Sequence, residues 1–206
     1  MSKHTDETAN LSAQRAVLHD IYDPEHVQLV ERRTPYEGFV TVREDTVVLQ
    51  STGEEIARTW VDRDDAVGVL PLREGEQGTE VLLIRQYRVP VRRLMWEIPA
   101  GLLDIPGEDL ETAARRELLE ETDYEAGKLE KLVSYFSSTG FNNEHLTLYT
   151  ARDLRPGRAA DFVRTGEEAE IEKRWFSFET VLAAALAGNL ECPTLLMAVL
   201  AYAARR

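Results

Sequence analysis

One helix-forming segment lies between two groups of strand-like runs, and its pattern of charge most restricts what the chain can fold into. Asp109 is placed to cap a helix running to about Thr122, with Glu108 and Glu111 suited to the positive end of its dipole. Within "RRELLEET" (115–122), Glu117, Glu120 and Glu121 fall in a sector of roughly 100° on the helical wheel. Leu110, Ala113 and Ala114 lie in or beside that sector, while Glu108, Thr112, Arg115 and Arg116 lie elsewhere. The acids therefore share a face with the small and apolar residues that a helix turns toward its protein. A solvated acidic stripe is the plain alternative and stays open on this pattern alone.

Clustered carboxylates that face inward need compensation, because desolvation and mutual repulsion both oppose their ionisation. A hard divalent cation suits carboxylate oxygens, and Mg²⁺ commonly uses a few carboxylates together with water and substrate phosphates. Arg116, beside Glu117, is placed to pair with one acid and hold its rotamer.

The flanking sequence sets the class of fold. "VQLVERR", "GFVTVREDTVVLQ" and "EEIARTWV" read as short strands of a small N-terminal sheet, marginal alone and in need of a packing partner. "AVGVLPL", "TEVLLIRQYRV" and "LMWEIPAG" read as three strands before the helix; "KLEKLVSYFSS", "EHLTLYTARDL" and "EIEKRWFSFE" read as three after it. Two helices close the chain, the first ended by Gly188 and the second opened by Pro193. A mixed sheet with one central helix and a helical tail predicts an α/β layered domain. The expected division is a loosely docked N-terminus over 1–25, a β-rich region over 26–64 and the main domain over 65–206.

A net charge of −13 argues against a surface that neutralises nucleic-acid phosphates or sits on anionic lipid. A small anionic substrate would have to be drawn in by arginines or bound cations. Cys192 is the only cysteine, which excludes an intrachain disulfide and favours a reducing compartment, so a cytoplasmic location is expected. The N-terminus does not read as a secretory signal, and the longest apolar stretch, "LLMAVLAYAA", is too short to span a bilayer.

The segment "GLLDIPGEDLETAARRELLEETDY" resembles the Nudix box, the loop-helix signature of hydrolases that cleave nucleoside diphosphates linked to another moiety. Glu108, Arg116, Glu117, Leu118, Glu120 and Glu121 match the pattern in register. Two positions depart from it. Six residues separate Gly101 from Glu108 where the pattern has five, and Asp123 stands where it has glycine, which asks for an aspartate in the left-handed region. The resemblance extends over roughly residues 36–200, where "RQYRVPVRRLMWEIPAG", "TGFNNEHLTLYTA" and "EEAEIEKRWFSFE" look like the ADP-ribose pyrophosphatase branch.

That resemblance implies a Nudix-type α/β/α sandwich with a mixed central sheet, plus a small N-terminal sheet used in a homodimer. It implies hydrolysis of ADP-ribose to AMP and ribose 5-phosphate, with Mg²⁺, or Mn²⁺ in its place, held by Glu117, Glu120, Glu121 and the carbonyl of Ala100. The alternatives are another nucleotide sugar or dinucleotide as substrate, or a nucleotide-binding sensor without turnover. It further implies a general base on the acidic loop, where Glu167 and Glu168 both remain open, with Arg116 in the catalytic set. Arg88 matches a substrate-phosphate position; Glu144 is a loop acid placed to contact substrate or metal, with a plain strand-entry residue as the open alternative. Trp60 and Tyr87 read as core aromatics, with stacking on an adenine as the alternative, and Cys192 as a small core residue.

Overall fold

The computed structural model describes residues 18–159, 164 and 169–206. The earliest strands, β1 (Val27–Glu37), β2 (Thr41–Leu49) and β3 (Glu55–Asp62), form a three-stranded sheet in the order β1-β2-β3. Of the described residues, 18–33 with 44–58 make one compact unit and 34–43 with 59–206 a second. In the first, Arg32 grips the carboxylate of Asp45 through two bonds of 2.7 and 2.8 Å, and Arg33 pairs with Glu44 at 2.9 Å. The β2–β3 turn passes through Gly53, whose φ of 71° favours glycine.

The second unit is organised around β4 (Ala66–Gly75). Its run "AVGVLPL" is buried throughout, the signature of a strand covered on both faces. β5 (Gly78–Arg88) returns antiparallel to it from Leu72 onward and then pairs with β6 (Arg93–Glu97), while β7 (Ala100–Leu102) pairs with the start of β4. The helix α1 (Leu110–Thr122) follows, then β8 (Tyr124–Phe136), β9 (His145–Pro156) and β10 (Glu172–Ser177). Strand order is β10-β5-β4-β9-β8, with β6 on β5 and β7 on β4. The β4–β9 pair is parallel and the other pairs antiparallel, so the sheet is mixed.

Side chains alternate across a strand, and β4 shows where each face leads. Val67 and Val69 join Ala113, Ala114 and Leu118 of α1, whereas Leu70 and Leu72 join Phe178, Val181, Leu195 and Val199. Those last residues belong to α2 (Phe178–Leu186) and α3 (Pro193–Ala203). This is the expected α/β/α sandwich. Ser177 caps α2 by accepting from the Thr180 N–H, Gly188 follows at φ 75°, and Pro193 opens α3. Cys192 is buried at the α3 cap, as a small core residue should be. Among the described residues no helix is long and apolar enough to cross a membrane.

Two expectations need correction. "LMWEIPAG" is two strands with different partners, because Pro99 has no N–H for a ladder and the chain crosses there from β5 to β4. The Pro99 carbonyl instead accepts from the Val69 N–H at 2.8 Å. Tyr87 is 41% exposed rather than core, since it lies near the free end of the β5–β6 hairpin.

Candidate functional site

Helix α1 begins and ends where its local chemistry dictates. The Asp109 carboxylate accepts from the N–H groups of Glu111 and Thr112 at 3.0 Å each, satisfying two donors that the first turn leaves free. Asp123 closes the helix in the left-handed region at φ 62° and ψ 33°, its N–H bonded to the Leu119 carbonyl. Between these caps, Ala113, Ala114, Glu117, Leu118 and Glu121 are buried.

The inward acids are seated against β7. A β-carbon on Gly101 would overlap the Glu117 carboxylate, so this close approach requires glycine. One turn later Glu121 accepts from the Ala100 N–H at 2.9 Å. Arg116 gathers the remaining charge. Its Nε and Nη2 donate to the two oxygens of Glu108 at 3.0 and 2.9 Å, and its Nη1 donates to Glu117 and, at 3.3 Å, to Glu120. Nη2 also reaches the Leu102 carbonyl at 3.2 Å, which ties the guanidinium to β7.

One arginine does not balance this many acids. Burial raises the Glu117 carboxyl, Arg116 opposes that rise, Glu120 and Asp104 add to it, and the group is pushed up to about 7. Arg116, held by its bonds to Glu108 against the cost of burial, stays firmly protonated.

Ala100, Arg116, Glu117, Glu120, Glu121, Arg88 and Glu144 all line one cleft of about 490 Å³, together with Arg63, Glu97 and Phe39. Arg88 donates to both oxygens of the buried Glu97 at 2.8 and 2.7 Å, and those bonds raise its pKa and hold its fork in place. Glu144 lies 3.2 Å from Arg63 Nε, which is buried there without hydrogen-bond geometry. The Arg63 guanidinium sits 5.4 Å from the centre of the Phe39 ring, which is 80% exposed.

Of the residues singled out from the sequence, Glu167 and Glu168 lie outside the described residues. Among the described residues, no three His, Cys, Asp or Glu side chains converge as a metal-binding group. Glu117 and Glu120 turn toward Arg116 and Glu121 toward Ala100, so their oxygens do not meet at one point. The donor set itself, three carboxylates on one helix with Glu117 seated against Gly101 and its charge disfavoured by burial, is of the type that suits a hard cation. Sequence reading missed Arg63, Glu97 and Phe39. Arg63 and Glu144 are 81 positions apart, and the Glu97 partner of Arg88 lies on the neighbouring strand, so no local pattern announces either pair.

The NUDIX domain family model matches residues 62–192, which takes in the cleft acids, and the chain belongs to the Nudix family of hydrolases acting on diphosphate linkages. Within that family it is ADP-ribose pyrophosphatase-like. It is 43% identical over 88 residues to an ADP-ribose pyrophosphatase of Saccharomyces cerevisiae, a match covering 42% of this chain and 38% of the yeast protein. It is 32% identical to a methanol dehydrogenase activator of Bacillus methanolicus, covering 70% of this chain and 82% of that one. An ADP-ribose pyrophosphatase of Mycobacterium tuberculosis is 28% identical, with 79% and 76% covered. A solved structure titled as an ADP compounds hydrolase superposes with a TM-score of 0.73 over 87% of this chain and 93% of that one, and at 19% identity it speaks for the fold alone.

Proposed function

We propose that the chain is a Mg²⁺-dependent hydrolase that cleaves ADP-ribose to AMP and ribose 5-phosphate, with Mn²⁺ able to take the place of Mg²⁺. The observation that carries this reading is the joint presence, in one cleft, of carboxylates short of countercharge and of arginines suited to phosphate. The relatives named as ADP-ribose pyrophosphatases support the choice of substrate.

Glu117, Glu120, Glu121 and the Ala100 carbonyl are the proposed cation ligands. When bound, the cation neutralises phosphate charge and makes water a better nucleophile near neutral pH. The chain's own residues do the rest. Arg116 keeps the Glu117 and Glu120 carboxylates oriented, and Gly101 leaves room for the Glu117 carboxylate beside β7. Arg88, fixed by Glu97, is the proposed contact for a substrate phosphate oxygen, and Glu144 a proposed polar contact to substrate. Glu167 or Glu168 is the proposed proton acceptor for the attacking water. Such a reaction asks mostly for positioning and charge stabilisation, which these residues supply.

A homodimer belongs to the same proposal. β1 is an eleven-residue edge strand exposed along nearly all its length, with Leu29, Val30 and Tyr36 each about half exposed, and a second copy would cover it. The N-terminal β-rich region over 26–64 is then the dimerisation region and 65–206 the hydrolase domain. A reducing, cytoplasmic setting suits the free Cys192.

The test is hydrolysis of ADP-ribose in ¹⁸O-labelled water with and without Mg²⁺. AMP and ribose 5-phosphate should appear only with the cation, and the label identifies the phosphorus attacked. Preference for another nucleotide sugar or dinucleotide in a parallel panel would move the substrate assignment. Tight binding of ADP-ribose without turnover would replace the enzyme by a sensor.

A further inference from the structure

Two of the proposed cation ligands, Glu120 and Glu121, sit in the last turn of α1, where the backbone dipole is itself negative. That turn contains no basic residue of its own. The countercharge arrives from elsewhere in the sequence. Arg164 Nε donates to the Glu120 carbonyl at 2.8 Å, and its Nη2 lies 2.9 Å from Asp123 Oδ1. Lys173 Nζ donates to the Thr122 carbonyl at 3.2 Å and to Asp123 Oδ2. With the Asp123 N–H on Leu119, the terminal carbonyls of residues 119, 120 and 122, which lack partners inside the helix, are each taken up.

Asp123 holds this arrangement together. Its backbone is left-handed, a conformation that glycine adopts with least strain and a position where the Nudix pattern has glycine. The aspartate accepts that strain and offers a carboxylate, one oxygen to each cation. Lys173 in turn sits on β10, paired opposite Ile84 of β5, so the contact runs to the central sheet.

We propose that Asp123, Arg164 and Lys173 form an ionic clasp that positions the last turn of α1, and with it the carboxylates of Glu120 and Glu121, for hydrolysis. The proposal rests on the cation-binding role assigned above to α1. The three are positioning residues acting through the helix end. Their side chains are 44%, 26% and 31% exposed, and ion pairs this open to solvent add little to global stability. Their effect falls on where two carboxylates stand, and rates are sensitive to small misplacement.

The experiment compares wild type with Asp123→Asn, which tolerates the left-handed cap but lacks the charge, and with Arg164→Gln, which leaves the left-handed residue itself unchanged should the first variant fold poorly. Each should lower kcat about tenfold and raise the half-saturating Mg²⁺ concentration, with KM for ADP-ribose within about twofold and Tm within about 3 °C. The double variant should be no worse than either single one, and Arg164→Lys should recover part of the loss. Hydrogen exchange at amides 119–123 should quicken in both single variants, and Mn²⁺ binding read by electron paramagnetic resonance should weaken. The clasp is overturned if kcat and Mg²⁺ dependence stay within twofold of wild type, if the losses add in the double variant, or if they merely follow a fall in Tm. Absence of Mg²⁺-dependent turnover in wild type would count against the proposed function instead, and amide exchange and Mn²⁺ binding would still decide the clasp.

Discussion

Strand β4 sends Val67 and Val69 to one face of the sheet and Leu70 and Leu72 to the other, and the two faces are finished differently. Under α2 and α3 the core is large and apolar, with Phe178, Leu195 and Val199 packed on Leu70, Leu72, Val81, Leu83 and Leu148. Under α1 the core is smaller, with Ala113, Ala114 and Leu118 against Val67, Val69, Tyr149 and Ala151. Alanines let α1 lie close to the sheet, and closeness brings Glu117 and Glu121 onto the backbone of β7. One face therefore carries most of the apolar burial that holds the fold, and the other accepts desolvated charge at the proposed cation site. Keeping them apart lets the costly acids sit on a sheet that is anchored from behind.

That division can be broken by substitution. Glu121→Gln should lower kcat by about a thousandfold or more while leaving Tm nearly unchanged, because a proposed cation ligand loses its charge without loss of apolar packing. A collapse in Tm with the activity would show that the acid face holds the fold after all. Phe178→Ala on the other face should do the reverse, costing about 3–5 kcal/mol in denaturant unfolding with kcat per folded molecule preserved.

Proton linkage sharpens the contrast. Folding raises the Glu117 carboxyl from its ordinary 4.5 to about 7, so the folded chain binds the proton more tightly between those values. Stability from this group is present below pH 4.5 and lost as pH rises to 7, amounting to about 3 kcal/mol in full. The difference in unfolding free energy between wild type and Glu117→Gln, both free of divalent cations, should move in that sense between pH 5 and pH 8. Saturating Mg²⁺ should abolish most of the movement. The smallest effect belongs to the α1 cap. Asp109→Ala should lower Tm by about 2–4 °C, checked by calorimetry. Hydrogen bonds from Thr112 hold the Asp109 carboxyl below its ordinary 3.8, so its contribution is present above that pH and fades as pH falls through the lowered value.

How much of this was legible in sequence follows from range. The caps at Asp109 and Asp123, the shared face of Glu117, Glu120 and Glu121, and where along the chain most strands and helices fall are set by neighbours within a few positions, and the structure follows them closely. "LMWEIPAG" misled because one continuous strand-like run serves two ladders, and only the position of β4 and β5 shows that Pro99 divides it. Tyr87 misled because strand composition does not reveal which end of a hairpin projects from the sheet.

The sequence by itself determined that three acids would share one side of a short helix with its alanines, since rotation per residue fixes which side chains fall together. Only the tertiary structure decided what lies against them, Gly101 and Ala100 of β7, and which distant charges meet around the site, Arg63 with Glu144 across 81 positions and Arg164 and Lys173 with Asp123. Charges buried by folding must be matched by whatever the fold brings near, and spatial neighbours drawn from distant strands leave no periodic trace along the chain.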